Sequence, residues 1–306
     1  MKVCVIGGTG HVGGFLVPAL VREGHEVTVV ATGRTPVPEG PEWGKVKLVR
    51  ARYERGSEEW GRIMKDLGLE ALVDMLGADL PGTYRAVKGT CRHLVACGSL
   101  WMLGPPKVVP TPEQTQGPCE FEGYARRYEE IYEVMEVARR DGMAFTAIFP
   151  PNICGPGKVP LEPKGGRDPS VHLDMAKGKP VFLPEGTQAL IGPCDAEDVA
   201  QGFVLALRCP DEADGEIFNV GSAYALTAVR FVQVYGEIYR TEIPVEFVPW
   251  EEFTRRIPDL GANYHFREHM CPDISKIRKK LGYEPRHTPE ESMERAVAWM
   301  RDRGMV

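Results

Sequence analysis

Three glycines, at positions 7, 10 and 13, lie near the start of the chain in the segment GGTGHVGG. They follow the apolar run KVCVI and precede the helical pattern GFLVPALVREG, so they connect a predicted strand to a predicted helix. Glycines in this context let backbone N–H groups approach a phosphate at the N-terminus of the helix. The segment therefore indicates binding of a dinucleotide pyrophosphate, and the alternative is a plain turn before a helix. The residues expected to contact this ligand are Gly7, Thr9, Gly10, His11, Val12 and Gly13.

The end of the second predicted strand bears on which dinucleotide is bound. An acidic residue there would accept a hydrogen bond from the ribose 2′-hydroxyl of NAD, whereas an arginine would pair with the 2′-phosphate of NADP. The strand HEVTVVA ends in Ala31, Thr32 and Gly33 and is followed by Arg34, with no acid. The sequence thus favours NADP over NAD, and the alternative for Arg34 is a solvated loop charge.

Short β-branched runs alternate with helical stretches along the first half of the chain. The strand-like runs are KVCVIG, HEVTVVA, KVKLVRA, EALVDML, RHLVACG and AFTAIFP. This alternation predicts a parallel sheet with helices on both faces. After residue 150 the proline- and glycine-rich segment PPNICGPGKVPLEPKGGRDPS interrupts the pattern, which indicates the start of a second, smaller lobe.

Composition excludes several classes of protein. The 306 residues are 43% hydrophobic and 26% charged, as in a globular protein with a sizeable core. The net charge of −6 comes from interspersed acids and bases without a basic block, so nucleic acid is not an expected partner. No apolar stretch approaches the roughly 18 residues of a membrane span, and the start MKVCVIGG is too short for a signal-peptide core. We expect a cytoplasmic protein that does not associate with membranes.

Several motifs, in order, give the chain a family resemblance over nearly its whole length. GGTGHVGG resembles the glycine loop of the extended short-chain dehydrogenase/reductases, here in atypical form, a group of NAD(P)-dependent sugar epimerases, dehydratases and reductases. HLVACGSLWMLG resembles the fifth strand of that family with its catalytic serine, which is Ser99 here. FPPNICGPG resembles the sixth-strand motif, in which Pro150 would contact nicotinamide and Asn152 the substrate.

The resemblance implies a Rossmann-type, doubly wound α/β fold with a smaller C-terminal substrate lobe. The nucleotide-binding domain would span residues 1–153 and be rejoined by 190–221, and the substrate lobe would comprise 154–189 and 222–306. The chemistry would take place in the cleft between them. Further residues expected to contact the cofactor are Leu76, Gly77, Tyr128, Pro150 and Ile153.

The segment YARRY departs from the family at a catalytic position. The family places a tyrosine and a lysine four residues apart on one helix face, so that the ammonium lowers the tyrosine pKa and binds the nicotinamide ribose. Here Tyr124 is followed at that spacing by Tyr128, and Arg127 is the cation at i+3. Without the lysine, Tyr124 is expected to stay protonated and to act as an acid, which favours reduction. The alternative is a pair of aromatic residues that pack on a helix after catalysis has been lost.

The predicted substrate pocket also departs from the family. Members that bind nucleotide sugars carry an arginine shortly after a G-x-Q element, whereas GTQ is followed here by ALI at 189–191. Lys164, Arg167 and His172 could bind an anionic group, with solvated loop charge as the alternative. In HFREHMC, His265 and His269 have a spacing that could hold zinc on a helix, but Pro272 ends any helix and no metal is expected. These histidines could instead line the cleft.

These features together predict an NAD(P)-dependent oxidoreductase or epimerase-like enzyme. Ser99, Tyr124 and Arg127 would act on a carbonyl or hydroxyl of a small sugar, polyol or related metabolite. The alternative is a non-catalytic dinucleotide sensor or scaffold, because atypical family members include such proteins. A homodimer is expected through the helix IYEVMEVARR, although its apolar residues could pack on the sheet of the same chain.

Overall fold

The computed structural model describes all 306 residues. The strands, in chain order, are β1 (Lys2–Ile6), β2 (Glu26–Ala31), β3 (Lys47–Arg50), β4 (Ala71–Asp74), β5 (His93–Cys97), β6 (Ala144–Phe149), β7 (Asn152–Cys154), β8 (Val181–Pro184), β9 (Leu190–Ile191), β10 (Pro193–Asp195), β11 (Glu216–Asn219), β12 (Leu226–Thr227) and β13 (Val245–Val248). The α-helices are α1 (Gly13–Arg22), α2 (Glu58–Asp66), α3 (Leu80–Val87), α4 (Glu122–Asp141), α5 (Pro169–Ala176), α6 (Ala196–Arg208), α7 (Pro210–Ala213), α8 (Ala228–Tyr239), α9 (Trp250–Arg256), α10 (Leu260–Arg267), α11 (Ser275–Leu281) and α12 (Pro289–Arg301). Short 3₁₀ helices span Pro41–Lys45 and Leu100–Leu103.

A seven-stranded parallel sheet forms the centre of the molecule, in the order β3-β2-β1-β4-β5-β6-β11. Successive strands run outward from β1 to β3 on one side, and the chain then returns to place β4 on the other side of β1. Ligands of such sheets bind where the strand order reverses, beyond the carboxyl ends of the strands. The expected Rossmann-type, doubly wound fold is therefore confirmed.

The side chains of β1 show why helices cover both faces of this sheet. Val3 and Val5 pack in a cluster with α1 and α6, whereas Cys4 and Ile6 pack in a second cluster with α2, α3 and α4. Successive residues of a strand point to opposite faces, so a strand that is apolar throughout needs a cover on each side. Both faces are thus buried, and the open edge at the carboxyl ends of the strands remains for a ligand.

A third apolar cluster lies outside the sheet and contains residues from 154–191 and 226–297. Phe231 and Tyr235 of α8 and Met293 of α12 are among its fully buried members. Ile277 and Leu281, in contrast, pack in the first cluster with α6. We therefore propose the predicted division into two lobes with one revision, in which α11 belongs with the nucleotide-binding half.

Buried histidines give the fold a predicted dependence on pH. His172 is fully buried, and its Nε2 must donate to the carbonyl oxygen of Pro160 at 3.1 Å, so its Nδ1 accepts from the Tyr239 hydroxyl at 3.0 Å. Burial lowers the pKa of His172 to about 4, and burial likewise lowers that of His93 to about 4. Unfolding restores both to about 6.5, so the unfolded chain binds more protons below that pH.

We expect these histidines to leave the free energy of unfolding unchanged above about pH 7 and to lower it between about pH 6.5 and 4, by up to about 1.4 kcal/mol per pH unit for each histidine. Urea titrations at a series of pH values measure this slope. His172→Gln keeps a donor and an acceptor, so it should remain folded at pH 8 and show a shallower decline. Equal slopes for His172→Gln and the wild type would contradict the assignment.

Candidate active site

The glycine loop connects β1 to α1 at the point where the strand order reverses. Gly7 has φ +76°, a left-handed conformation that favours glycine, and its carbonyl accepts from the Gly10 N–H at 3.0 Å. A Cβ on Gly13 would lie 2.1 Å from the carbonyl oxygen of Gly8, so only glycine fits there. Val12 caps α1 without a side-chain hydrogen bond, and the first turn contains no acid. The N–H groups of Gly14 and Phe15 donate to backbone carbonyls, whereas those of His11, Val12 and Gly13 have no acceptor in the chain. These three N–H groups are available to an anion, which fits a pyrophosphate.

The loop after β4 borders the glycine loop. Asp74 is fully buried at the end of β4, where its Oδ1 accepts from the N–H groups of Leu76 at 2.9 Å and Gly77 at 2.7 Å. Leu76 is 50% exposed, and a Cβ on Gly7 would lie 3.0 Å from its Cγ. The predicted contacts Leu76 and Gly77 thus lie beside the glycine loop. Asp74 was not predicted, although an acid at the end of the apolar run EALVDML could have indicated it.

Tyr124 and Arg127 lie one turn apart on α4 and face the same cleft. An Nη of Arg127 donates to the carbonyl of Cys97 at the end of β5. A Cβ on Gly77 would lie 2.3 Å from the Arg127 Nε, so the guanidinium occupies the space that a side chain at 77 would fill. Arg127 is therefore fixed beside Tyr124 by β5 and by the loop after β4.

Tyr124 and Ser99 lie next to each other in the cleft. Burial raises the pKa of Tyr124 above its ordinary value, while the charge of Arg127 and a hydrogen bond with the Ser99 hydroxyl act in the opposite direction. Ser99 follows β5, and its Oγ accepts from the Trp101 N–H at 3.3 Å. Since burial dominates, Tyr124 is protonated at neutral pH.

These residues border a cleft of about 300 Å³. The sequence-predicted residues that line it are His11, Ser99, Tyr124, Arg127, Pro150, Asn152, Ile153 and Arg167. Trp101, Lys158 and His265 also line it. His11 joins the glycine loop to the second lobe, because its Nε2 lies 3.2 Å from the Gly155 carbonyl oxygen. The sequence motifs are thus brought together from β5, α4, β6 and both lobes.

Several predicted residues lie elsewhere. Tyr128 does not line the cleft: its hydroxyl donates to that of Tyr132 at 3.1 Å, and its ring packs against Phe149. His172 is in the interior of the second lobe, and Lys164 is exposed outside the cleft. Arg34 is exposed beyond β2, where its backbone N–H donates to the Thr32 hydroxyl at 3.4 Å. Helical spacing and charge alone did not distinguish these residues from those in the cleft.

The two histidines of HFREHMC, His265 and His269, lie in different surroundings. Helix α10 ends at Arg267, so His269 is not on the helix that carries His265. His269 Nδ1 accepts from the Leu190 N–H at 3.3 Å, whereas His265 lines the cleft near Trp101, with ring centroids 5.0 Å apart. His269 thus holds the backbone at Leu190, whereas His265 lines the cleft, which was one of the two expectations for these histidines.

No helix combines the length and the apolar composition that a membrane crossing requires.

Comparison with known proteins agrees with this geometry. Residues 80–221 match the model of the NAD dependent epimerase/dehydratase family. UDP-glucose 4-epimerase of Corynebacterium glutamicum is 25% identical, over 94% of this chain and 92% of its own length. The structure of UDP-glucose 4-epimerase from Thermotoga maritima with UDP-glucose has a TM-score of 0.77 at 21% identity and covers 99% of each chain. UDP-glucose-4-epimerase from Stenotrophomonas maltophila, with bound NAD and formylated UDP-arabinopyranose, has a TM-score of 0.77 at 17% identity, with 99% of each chain covered.

At these identities the two solved structures establish the fold alone. The family model covers the segment from α3 to the end of β11, which includes Ser99, Tyr124 and Asn152, and the curated relative extends the similarity to nearly the whole chain. Residues 80–221 therefore carry the domain of the NAD dependent epimerase/dehydratase family, and the expected resemblance to the extended short-chain dehydrogenase/reductases is confirmed.

Proposed function

We propose that the protein is an NAD(P)-dependent oxidoreductase that reduces a carbonyl group of a small sugar, polyol or related metabolite. The observation that carries this proposal is the convergence of Ser99, Tyr124 and Arg127 in one cleft that also borders the glycine loop. The family name and the curated relatives support an enzyme rather than a non-catalytic dinucleotide sensor.

The bound dinucleotide would supply the hydride, and the protein supplies orientation and a proton. The Tyr124 hydroxyl donates its proton to the carbonyl oxygen as negative charge develops there, and the Ser99 hydroxyl donates a second hydrogen bond to the same oxygen. Arg127 takes the place of the missing lysine as the fixed positive charge beside Tyr124. The raised pKa keeps the Tyr124 hydroxyl protonated at neutral pH, so a proton is present to donate and the phenolate is scarce as a base.

An epimerase is the second candidate, because curated relatives are named UDP-glucose and UDP-arabinose 4-epimerases. Epimerisation removes a hydride and returns it, so Tyr124 would have to act as a base and then as an acid. The raised pKa and the absence of a lysine at 128 favour reduction instead. Interconversion of epimers without net change in the cofactor would support the epimerase.

The first experiment identifies any dinucleotide that copurifies with the protein by mass spectrometry. The second follows oxidation of NADPH and NADH with a panel of aldehydes, ketones and keto-sugars. Turnover that depends on Tyr124 supports the reductase. Tight dinucleotide binding without turnover of any epimer or carbonyl would favour the sensor.

Two arginines support our proposal that NADP is preferred, with NAD as the alternative. Arg34 follows β2, and Arg50 pairs with Ala31 at the neighbouring end of β3. A Cβ on Gly33 would lie 3.2 Å from the Arg50 Nε, so this guanidinium lies against the turn that carries Arg34. Arg50 was not predicted from the sequence, because its proximity to that turn depends on strand pairing.

We expect Arg34→Ala and Arg50→Ala each to weaken NADPH binding by about tenfold or more and to leave NADH affinity within about twofold, as loss of a charge-assisted phosphate contact would. Calorimetric titration with both cofactors measures the ratio. Equal losses for NADPH and NADH would exclude a 2′-phosphate role and favour NAD.

We also propose that the protein is a homodimer that pairs through α4. Ile131, Val134 and Met135, which could have formed its apolar face, are buried against the sheet of the same chain. Tyr132 is the exposed aromatic of that helix and would lie in such an interface. Light scattering on protein eluted from a size-exclusion column measures the molar mass, which tests whether two chains associate.

A further inference from the structure

The cations of the cleft have no acidic partners. Arg127, Lys158 and Arg167 line it, whereas no aspartate or glutamate does. None of the three forms an ion pair with a carboxylate anywhere in the chain. Arg295, a half-buried arginine near β10, is different, because it pairs with Asp195 at 3.0 Å and Glu197 at 2.9 Å. The cleft thus holds positive charge that the protein itself does not neutralise.

Arg167 is held in place by neutral groups only. Its guanidinium donates to the carbonyl oxygens of Val159 at 2.8 Å and Ile153 at 2.8 Å, and to Oδ1 of Asn152 at 2.9 Å. A guanidinium has five N–H donors, so these three bonds fix its orientation and leave two donors free. Because a partly buried charge without a partner is unfavourable, a bound anion would stabilise this arrangement.

Neighbouring groups add donors without adding acids. Arg167 contributes, after burial, to lowering the pKa of Lys158, so the two cations act on each other across the cleft. Burial, with a smaller contribution from Arg167, lowers the pKa of His11 to about 4 and that of His265 to about 3, so both rings are neutral at pH 7. The buried Nδ1 of His265 has no hydrogen-bond partner in the chain. Together these groups form a site that favours an anion and accommodates its oxygen atoms.

We propose, resting on the proposed function above, that Arg167 and Lys158 form a subsite for an anionic group of the substrate, a carboxylate or a phosphate monoester. The cleft of about 300 Å³ is at the small end of ligand pockets and must also admit the nicotinamide ring, so the substrate is compact. Asn152, whose Oδ1 accepts a hydrogen bond from Arg167, lines the same cleft as Ser99 and Tyr124. The substrate is therefore a small keto or hydroxy compound that carries one anionic group.

Calorimetric titration of inorganic phosphate and of malonate into the dinucleotide-saturated protein tests this subsite. Lys158 makes no hydrogen bond within the chain, so Lys158→Met should leave the fold intact and weaken anion binding by about tenfold or more. The matched control is Lys177→Met, an exposed lysine at the end of α5, and it should bind both anions as the wild type does. Arg167→Lys should also weaken binding, because a single ammonium cannot replace the guanidinium fork.

The outcomes separate the subsite from the reductase. Tighter binding of malonate indicates a carboxylate substrate, and tighter binding of phosphate indicates a phosphate monoester. Saturable anion binding that Lys158→Met weakens, without turnover of any carbonyl, would support the subsite and count against the reductase. Absence of saturable binding, or equal losses in Lys158→Met and Lys177→Met, would overturn the subsite, even if the enzyme reduces neutral carbonyls.

Discussion

Tyr124→Phe should lower kcat for carbonyl reduction by about 100-fold to 10,000-fold, the usual contribution of a general acid, while the protein stays folded. The phenylalanine ring keeps the edge contacts with Trp101 and Phe121, whose centroids lie 5.9 Å and 6.0 Å from that of Tyr124. Only the proton donor is lost. Single-turnover measurements with reduced cofactor report the chemical step itself and check that dinucleotide binding is unchanged.

The control for this substitution is Tyr132→Phe, which removes an exposed hydroxyl two turns along the same helix. It should change kcat by less than about twofold, as expected for a surface position. Because the pKa of Tyr124 is raised above its ordinary value of about 10, the rate of reduction should also stay flat from about pH 7 to 9. Undiminished turnover in Tyr124→Phe would show that another group donates the proton. A rate that declines with the titration of a group whose pKa is near 7 would show the same.

Gly13→Ala should lower dinucleotide affinity by on the order of 100-fold, because each hydrogen bond lost between the loop and the charged pyrophosphate costs about 1.5–3 kcal/mol. The added Cβ would lie 2.1 Å from the carbonyl oxygen and 2.5 Å from the carbonyl carbon of Gly8. Both neighbours are backbone atoms, so the glycine loop and the start of α1 must move apart. Titration with NADPH and NADH measures the loss, which should affect both cofactors equally.

Gly14→Ala is a closely matched control at the next position. A Cβ there has nothing within 4 Å, and the residue lies in the first turn of α1. Dinucleotide affinity should be unchanged, and the protein should gain up to about 1 kcal/mol of stability, since alanine favours helix more than glycine does. If both alanine variants bind the cofactor equally well, the close approach at Gly13 is not what shapes the site.

The nucleotide-binding half could be predicted because its signals are local. Strand and helix periods and the glycine loop are properties of short stretches of chain, and the order of these stretches largely limits the topology. Ser99, Tyr124 and Asn152 were found because each belongs to a motif with a fixed position relative to a strand or helix. Lys164, Arg167 and His172 belong to no such motif. They lie in or next to a segment rich in glycine and proline that shows no helix or strand periodicity, so the sequence did not fix their positions.

The sequence by itself determined the doubly wound fold, the glycine loop and the motifs that carry Ser99 and Tyr124. Only the tertiary structure decided which positively charged side chains line the cleft. On α4, residues at i+3 and i+4 from Tyr124 both lie near its face, and Arg127 reaches the cleft because Cys97 offers a carbonyl and Gly77 leaves space for the guanidinium. In the second lobe, packing placed Arg167 at the cleft and His172 in the interior. These outcomes depend on contacts between residues far apart in the chain, which no local pattern encodes.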